Sequence, residues 1–455
     1  MKPVLTADEY RRVDKAYTGD LSEAMDRAGY AVALAAVRNG AGYAKRVAVL
    51  AGPGNNGGDG YVAARYLKGR GAFVTVHALA DPSTPQAEVA AAKALSAGVR
   101  FTELVAPTRA DLVIDSLFGG GVRRGLPDLV VAWMNTTAPI VSVDYPTGLD
   151  PDTGKVNEEA FHAAETVTFS TLKTGHVLGE GPDHCGRVTV ADIGIHGGEP
   201  AMYIAEASDA LRPGRARRAH KWAAGAVLVM AGSSGLVGAS ILAGRAALNF
   251  GAGTVYLATD GLDRVQQIAP ELPAFGLDQA GESVERFDVV VAGPGLDERD
   301  TATIRPIVEA AQKVVLDAGG LSPSMLRAAK EGDAEVVVTP HDAEFARIAG
   351  VNAGVYAVRS FAEREGVVAL RKGNPTMVSD GGLPVLVDTG GPELASIGTG
   401  DVLAGMIAAL WARGLPATQA AISAAYWHGV AGADLARDKT VTAEVLADYI
   451  SVYAW

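Results

Sequence analysis

The chain of 455 residues has one cysteine, Cys185. It can form neither an intrachain disulfide nor a zinc site built on several thiolates. That economy fits a reducing compartment, and the expected location is the cytoplasm. No apolar run reaches the ~18–20 residues that a membrane span requires. The first residues, MKPVLTADEYRRVDKAY, carry charges where a signal peptide needs an apolar core. Basic residues are in deficit: 40 Lys and Arg against 52 Asp and Glu leave a net charge of −12. Such a chain repels nucleic acid and anionic membranes, so neither is an expected partner. Its one basic cluster, RPGRARRAHK (212–221), reads as a solvated linker.

The composition is 48% hydrophobic and 20% charged, with 55 glycines, which describes a globular α/β protein. The length suggests two domains. TADE (6–9) has the spacing of a capping box that opens a helix. Short apolar runs then alternate with amphipathic stretches: RVAVLAG (46–52), FVTVHAL (73–79), DLVIDSLFG (111–119), PIVSVDYPTG (139–148) and GRVTVADIGI (186–195). Strands alternating with helices predict a parallel, doubly wound sheet. The rhythm breaks at HGGEPAMYIAEASDALRPGRARRAHKW (196–222), and a second α/β series follows. The expected domains are 1–205 and 220–455, joined by a linker over 206–219. No repeat relates the halves, so they are two different α/β domains.

In open parallel sheets, ligands sit at the carboxyl ends of the strands. The glycine- and aspartate-rich stretches cluster there. GPGNNGGDG (52–60) follows a strand and opens a helix whose amides can receive an anion. It lacks the lysine of a Walker loop and carries Asp59 instead. From the residues alone, Asp59 either caps the helix or touches a ligand. Two more strand ends contribute Asp115, the turn before Arg123 and Arg124, and Asp144 followed by Thr147. Amide, carboxylate and hydroxyl oxygens suit a hard cation, while the glycine turns and arginines suit phosphate.

GPGNNGGDG, DSLFGGGVRRGLP, VDYPTGLDPDTG and TFSTLKTGH, with MDRAGYAVA upstream, resemble in order the NAD(P)H-hydrate epimerase domain over about residues 1–195. The resemblance implies that Asn55, Asn56, Gly57, Gly58 and Asp59 bind the hydrated nicotinamide nucleotide. It gives the same role to Gly119, Gly120, Gly121, Val122, Arg123, Arg124 and Gly125. Asn56, Asp115 and Thr147 are implied potassium ligands, and Asp144 a substrate contact and candidate for proton transfer. Gly-Gly-Gly stands at 119–121 where the family has Gly-Thr-Gly, and Thr147 stands where it often has Ser. Lys173 and His176 could be structural or part of the site, and are not counted as catalytic.

In the second half, ASIGTGDVLAGMIAALW (395–411) puts glycines at the opening turn of a long apolar helix. Its amides can stabilise a phosphoryl group, and Asp401 can accept a proton from an attacking hydroxyl. The alternative is a buried helix with Asp401 serving its dipole. LRKGNPTMVSDG reads as a sharp hairpin for nucleotide phosphates, and TPHDAEFARIAG places His341 at a strand end as ligand or helix cap. With HKWAAGAVLVMAGS, GAGTVYLA, GPGL and LDAGGL, the order resembles the ribokinase-like ADP/ATP-dependent NAD(P)H-hydrate dehydratases over about residues 219–437. By that resemblance Ala252, Gly295, His341 and Asp401 contact the hydrated nucleotide. Lys372, Gly373, Asn374, Pro375, Thr376 and Gly400 line an ADP site. His-Asp-Ala-Glu replaces the usual His-Pro-Gly-Glu, and Asn374 and Pro375 replace smaller residues.

The implied architecture is α/β throughout, with a Rossmann-like doubly wound N-terminal domain and a ribokinase-like C-terminal one. The implied function is metabolite repair. The first domain would interconvert R and S epimers of NADH-hydrate or NADPH-hydrate with potassium. The second would dehydrate the S form by phosphorylating its hydroxyl from ADP or ATP with magnesium. Further copies of the chain, as a homo-oligomer, complete the expected partners. Two rivals stand beside this reading. A small-molecule kinase would release a stable phosphorylated product. A non-catalytic nucleotide scaffold would need neither Asp144 nor Asp401.

Overall fold

A computed structural model describes the chain except for residues 120–124, 234, 283, 298–299 and 352–353. It divides into two compact units, Pro3–Ala201 and Met202–Trp455 with Met1–Lys2. The strand Met202–Ile204, inside the stretch where the sequence shows no rhythm, belongs to the second unit and pairs with Val385–Val387.

The first unit holds a seven-stranded sheet in which every neighbour is parallel. Its order is Arg100–Glu103, Phe73–Ala78, Arg46–Ala51, Leu112–Ser116, Ile140–Val143, Glu165–Phe169, Arg187–Ala191. The central strands are buried on both faces, which is why they read as continuous apolar runs. Helices Leu21–Arg38, Asn55–Gly69 and Pro85–Ser96 supply alanines, Met25 and Leu67 to one core, while Trp133 of Asp128–Met134 enters a second. Helix Ala7–Ala16 starts where Thr6 accepts the Glu9 amide at 3.0 Å.

Glu165–Phe169 was not legible as a strand because its first residue is an acid. Glu165 is fully buried, and accepts from Arg38 at 2.5 Å, Arg187 at 2.9 Å, Asn39 at 2.8 Å and Thr189 at 2.7 Å. Burial alone would raise its pKa, but the Arg38 and Thr189 hydrogen bonds carry it below the usual range.

The second unit's sheet runs Ala274–Phe275, Thr254–Ala258, Ala226–Met230, Val289–Ala292, Lys313–Leu316, Glu335–Val338, Val368–Arg371, Thr376–Ser379, Val385–Val387, Met202–Ile204. The pairs are parallel except around Thr376–Ser379, which is antiparallel to both neighbours. The hairpin expected at Lys372 joins the first of these pairs. Helices Thr399–Ala412 and Val237–Asn249 pack in one core through Ala243, Met406 and Ile407. Gly405 permits that approach, since a Cβ there would stand 2.2 Å from the Ala243 carbonyl oxygen. Among the described residues no helix is long and apolar enough to cross a membrane.

Candidate active sites

The strand order of the first unit fixes where a crevice must lie. The sheet grows from Arg46–Ala51 toward one edge, then restarts at Leu112–Ser116 and grows toward the other. The loops after these two strands diverge, leaving an opening at their carboxyl ends. A cavity of about 350 Å³ sits there, lined by Tyr10, Asp14, Asn56, Asp59, Gly119 and Asp144 among others.

Glycine is required where the loop backbones meet. A Cβ on Gly52 would lie 1.8 Å from the Leu117 carbonyl oxygen, and one on Gly57 1.9 Å from that of Gly52. Gly58 faces Met25, and Gly119 leaves room for the Asn56 side chain. Helix Asn55–Gly69 has Gly54 as N-cap, with no side-chain cap, so its first amides are available to an anion. Asn55 is occupied: its Oδ1 accepts from Thr84 Oγ1 at 2.6 Å. Asp59 is not a cap. It lies in the second turn, 7% exposed, with no hydrogen bond or ion pair among the described residues. Burial, then the charges of Asp144 and Asp14, push its carboxyl well above the usual range.

Asp144 follows the strand Ile140–Val143 in the left-handed region, with φ +64°. Its Oδ1 accepts from Lys173 Nζ at 2.7 Å and Thr168 Oγ1 at 2.9 Å. Lys173 is fully buried and also donates to Thr168 Oγ1 and the Phe169 carbonyl. Burial draws its pKa down, against the opposing pull of Asp144. The parallel pairing of Leu5 with Lys173 brings helix Ala7–Ala16 alongside, and Lys173 Nζ lies 3.9 Å from the centre of the Tyr10 ring. His176 fixes the turn. Its Nδ1 accepts the Lys173 amide at 3.1 Å, so Nε2 carries the proton that meets the Asp144 carbonyl at 2.7 Å. Burial and Lys173 hold this imidazole at about 4, hence neutral. Lys173 and His176 thus belong to the site. No signal separated them from structural residues in the sequence, because their partner is 29 and 32 positions away.

Of the expected potassium ligands, Asp115 and Thr147 meet directly. Asp115 accepts from the Thr147 hydroxyl at 2.7 Å, its amide at 2.8 Å and Ser142 Oγ at 3.1 Å. Asn56 also lines the cavity, and its Nδ2 is buried without a partner among the described residues. Carboxylate, hydroxyl and amide oxygens form a set suited to a hard cation, and that fits potassium. Among the described residues no three His, Cys, Asp or Glu side chains cluster as a metal site. Gly120, Gly121, Val122, Arg123 and Arg124 lie outside the described residues. Gly125 follows in an exposed bend at φ +69°.

The second unit's sheet also restarts, between Ala226–Met230 and Val289–Ala292. At the carboxyl edge, Gly398 at φ +87° caps helix Thr399–Ala412 without a side-chain bond; the Thr399 amide donates to the Ser396 carbonyl, and those of Gly400 and Asp401 have no partner among the described residues. Asp401 stands in that first turn. Burial, and then the charge of Asp317, raise its pKa to about 7. Lys372 Nζ pairs with Asp317 Oδ1 at 2.7 Å and lies 3.3 Å from where a Cβ on Gly400 would be. Burial opposes its charge, but Asp317, Glu344 and Asp401 raise its pKa above the usual lysine range. The hairpin therefore delivers Lys372 to the Gly400 turn. Gly373 and Asn374 are exposed at its tip, Pro375 is buried, and Thr376 Oγ1 closes it on the Gly373 carbonyl at 3.0 Å.

Asp317 was missed as a site residue, although it shows the same strand-end signal as Asp115 and Asp144. Thr339 Oγ1 donates to it at 2.7 Å. His341 is a cap as well as a wall. Its Nδ1 accepts the Glu344 amide at 3.3 Å, and it lines a cavity of about 820 Å³ with Leu296, Gly319 and Glu344. Gly295, at φ +62°, receives Ser233 at its carbonyl. Ala252 does not join this group. It is buried ahead of Thr254–Ala258, at the opposite strand end, with its amide on the Ala247 carbonyl. The alanine facing Gly295 is Ala239, 2.9 Å from where a Cβ on Gly295 would be.

Comparison with known proteins gives each unit its own family match. Residues 227–454 match the family described as NAD(P)H-hydrate dehydratase, and residues 22–175 match YjeF-related protein N-terminus. The chain is 37% identical to a bifunctional NAD(P)H-hydrate repair enzyme of Mycobacterium leprae, over 91% of this chain and 89% of the relative. It is 36% identical to one from Hyperthermus butylicus, over 90% and 83%. The second unit resembles the crystal structure of an ADP/ATP-dependent NAD(P)H-hydrate dehydratase from Bacillus subtilis, co-crystallized with ATP/Mg2+. That match has a TM-score of 0.50 and 28% identity, over 56% of this chain and 98% of that one.

Proposed function

The chain belongs to the bifunctional NAD(P)H-hydrate repair enzymes, and we propose that its two reactions are carried by Asp144 in the first unit and Asp401 in the second. The first domain epimerises R and S NAD(P)H-hydrate. The second, with the ribokinase-like fold, dehydrates the S form using ADP or ATP as phosphoryl donor.

One observation carries the assignment: each of these acids stands at the mouth of a sheet crevice within the field of a lysine, the fully buried Lys173 paired with Asp144 and the half-buried Lys372 acting on Asp401. In the first pocket the free amides of helix Asn55–Gly69 receive the nucleotide's phosphate. Lys173 holds the Asp144 carboxylate in one orientation, and Asp144 serves proton transfer as the hydroxyl-bearing carbon inverts. Asp115, Thr147 and Asn56 would hold a potassium ion, which supplies positive charge beside the phosphates where this loop has no lysine.

In the second pocket Asp401, near 7, accepts the substrate hydroxyl's proton as that oxygen takes the phosphoryl group. Lys372 and the amides after Gly398 stabilise the charge that develops on the phosphoryl oxygens. Elimination of phosphate then restores the ring double bond. The magnesium that accompanies the nucleotide would be held chiefly by phosphate oxygens, with Asp317 the nearest buried carboxylate to Lys372.

The test is to incubate mixed R and S NADH-hydrate with ADP, magnesium and potassium, and to follow absorbance of the reduced nicotinamide. Both epimers should return to NADH with release of free phosphate. A stable phosphorylated product, or no NADH from either epimer, refutes the reading.

A further inference from the structure

The epimerase pocket holds a carboxyl that Asp144 chemistry leaves unused. Asp59 lines the same cavity as Asp144 and is 7% exposed, yet it meets no cation and no hydrogen-bond donor among the described residues. Asp144 has the opposite surroundings, with Lys173 Nζ at 2.7 Å and Thr168 Oγ1 at 2.9 Å. Two carboxyl groups in one cavity with opposed environments mark an acid and a base.

We propose that Asp59 is a second catalytic residue of the epimerase pocket, a neutral acid that protonates the departing hydroxyl while Asp144 accepts the proton of the water that returns. This rests on the epimerase reading above. Burial and the nearby charges of Asp144 and Asp14 favour the protonated form of Asp59. Among the described residues the other titratable groups lining the cavity are Tyr10, Arg11, Asp14 and Tyr145, the last kept protonated by burial, and Lys173 lies behind Asp144. Lys173 is committed to Asp144, and Asp14 adds negative charge.

The chemistry balances. Water adds to a reduced nicotinamide at the carbon bonded to the ring nitrogen, because protonating the enamine makes that carbon electrophilic. The hydroxyl on this carbon leaves with the Asp59 proton as water. Its C–O bond breaks while the nitrogen lone pair forms a C=N bond, giving an iminium ion and an Asp59 carboxylate. Water then adds to the opposite face. A new C–O bond forms, the C=N electrons return to nitrogen, and the released proton passes to Asp144. Asp59 has lost one proton and Asp144 has gained one, which is the starting state for the reverse epimerisation. Nothing is oxidised or reduced.

The experiment is epimerisation in ¹⁸O-labelled water, with an enzyme-free control and mass analysis of the product. The full-length protein should place one solvent oxygen in each epimerised molecule. Opening of the ring to an aldehyde and reclosure would keep the original oxygen, and that result overturns the proposal. If no epimers interconvert at all, it is the epimerase reading that fails. In parallel, Asp59→Asn should lower kcat for R-to-S conversion about 100-fold while KM stays within about threefold. It should also lose any alkaline fall of kcat that Asp59 ionisation causes in the parent. A variant with parent-like kcat and pH profile overturns the assignment. Should Asp59→Asn fail to fold, Asp59→Ser takes its place, with the same expected fall in kcat and the same overturning result.

Discussion

Lys173 Nζ lies 2.7 Å from Asp144 Oδ1, across 29 residues of chain, and the lysine is completely buried. A buried ammonium is costly unless paired, so the two residues act as one group. Lys173→Met should reduce R-to-S conversion about 100-fold, and Lys173→Arg should recover part of it. The rate of S-epimer dehydration by the same protein is the internal control and should not change. Unchanged use of the R epimer by Lys173→Met would show that Asp144 does not depend on this pair.

Asp401 gives a pH dependence with two opposite signs. Its carboxyl is raised from 3.8 to about 7, and only its ionised form accepts a proton. S-epimer dehydration should therefore rise with pH through about 7. Stability should run the other way. The contribution of this group is complete below its unfolded value and is lost as pH rises through about 7. Asp401→Asn should abolish NADH recovery yet raise Tm at pH 8. The gain is at most about 4 kcal/mol at about 1.36 kcal/mol per unit, and should vanish near pH 4. A lower Tm at pH 8 would contradict the burial argument.

Thr147 donates its hydroxyl to Asp115 at 2.7 Å. Thr147→Val removes an oxygen from the proposed potassium set and keeps the shape. The potassium concentration giving half-maximal epimerisation should rise about tenfold or more. Titration with potassium at constant ionic strength checks this, and an unchanged midpoint removes Thr147 from the set.

Gly293 joins the two strand ends that build the second site. It has φ +124°, and a Cβ there would stand 1.9 Å from the Asp317 carbonyl oxygen. Gly293→Ala should cost roughly 2–4 kcal/mol and displace Asp317 from Lys372. Denaturant unfolding and S-epimer dehydration should both report the loss. Parent-like values in both would mean that the loops can separate without consequence.

Most strands were legible because a doubly wound sheet buries both faces of its strands. Leu112–Ser116 and Val289–Ala292 read as apolar runs for that reason. Glu165–Phe169 escaped because a buried acid, satisfied by four partners from elsewhere in the chain, disguises it. The strand-end acids Asp115 and Asp144 and the helix-start acid Asp401 were visible from glycine-rich surroundings. Asp317 carries the same strand-end signal, but the resemblance implies no role for it. Ala252 was assigned from its motif, but the strand direction sends it to the far edge of the sheet.

The sequence by itself determined the α/β class, the order of the strands' carboxyl-end loops and the family, since periodicity and local motifs are carried by neighbours along the chain. Only the tertiary structure decided which side chains share a pocket. It put Asp59, which the sequence leaves open between helix cap and ligand contact, in the second turn, where burial and the charges of Asp144 and Asp14 raise its pKa well above the usual carboxyl range. It also gave Asp144 its lysine. Both results depend on desolvation and on distances between residues far apart in sequence, and no local pattern of residue types encodes those.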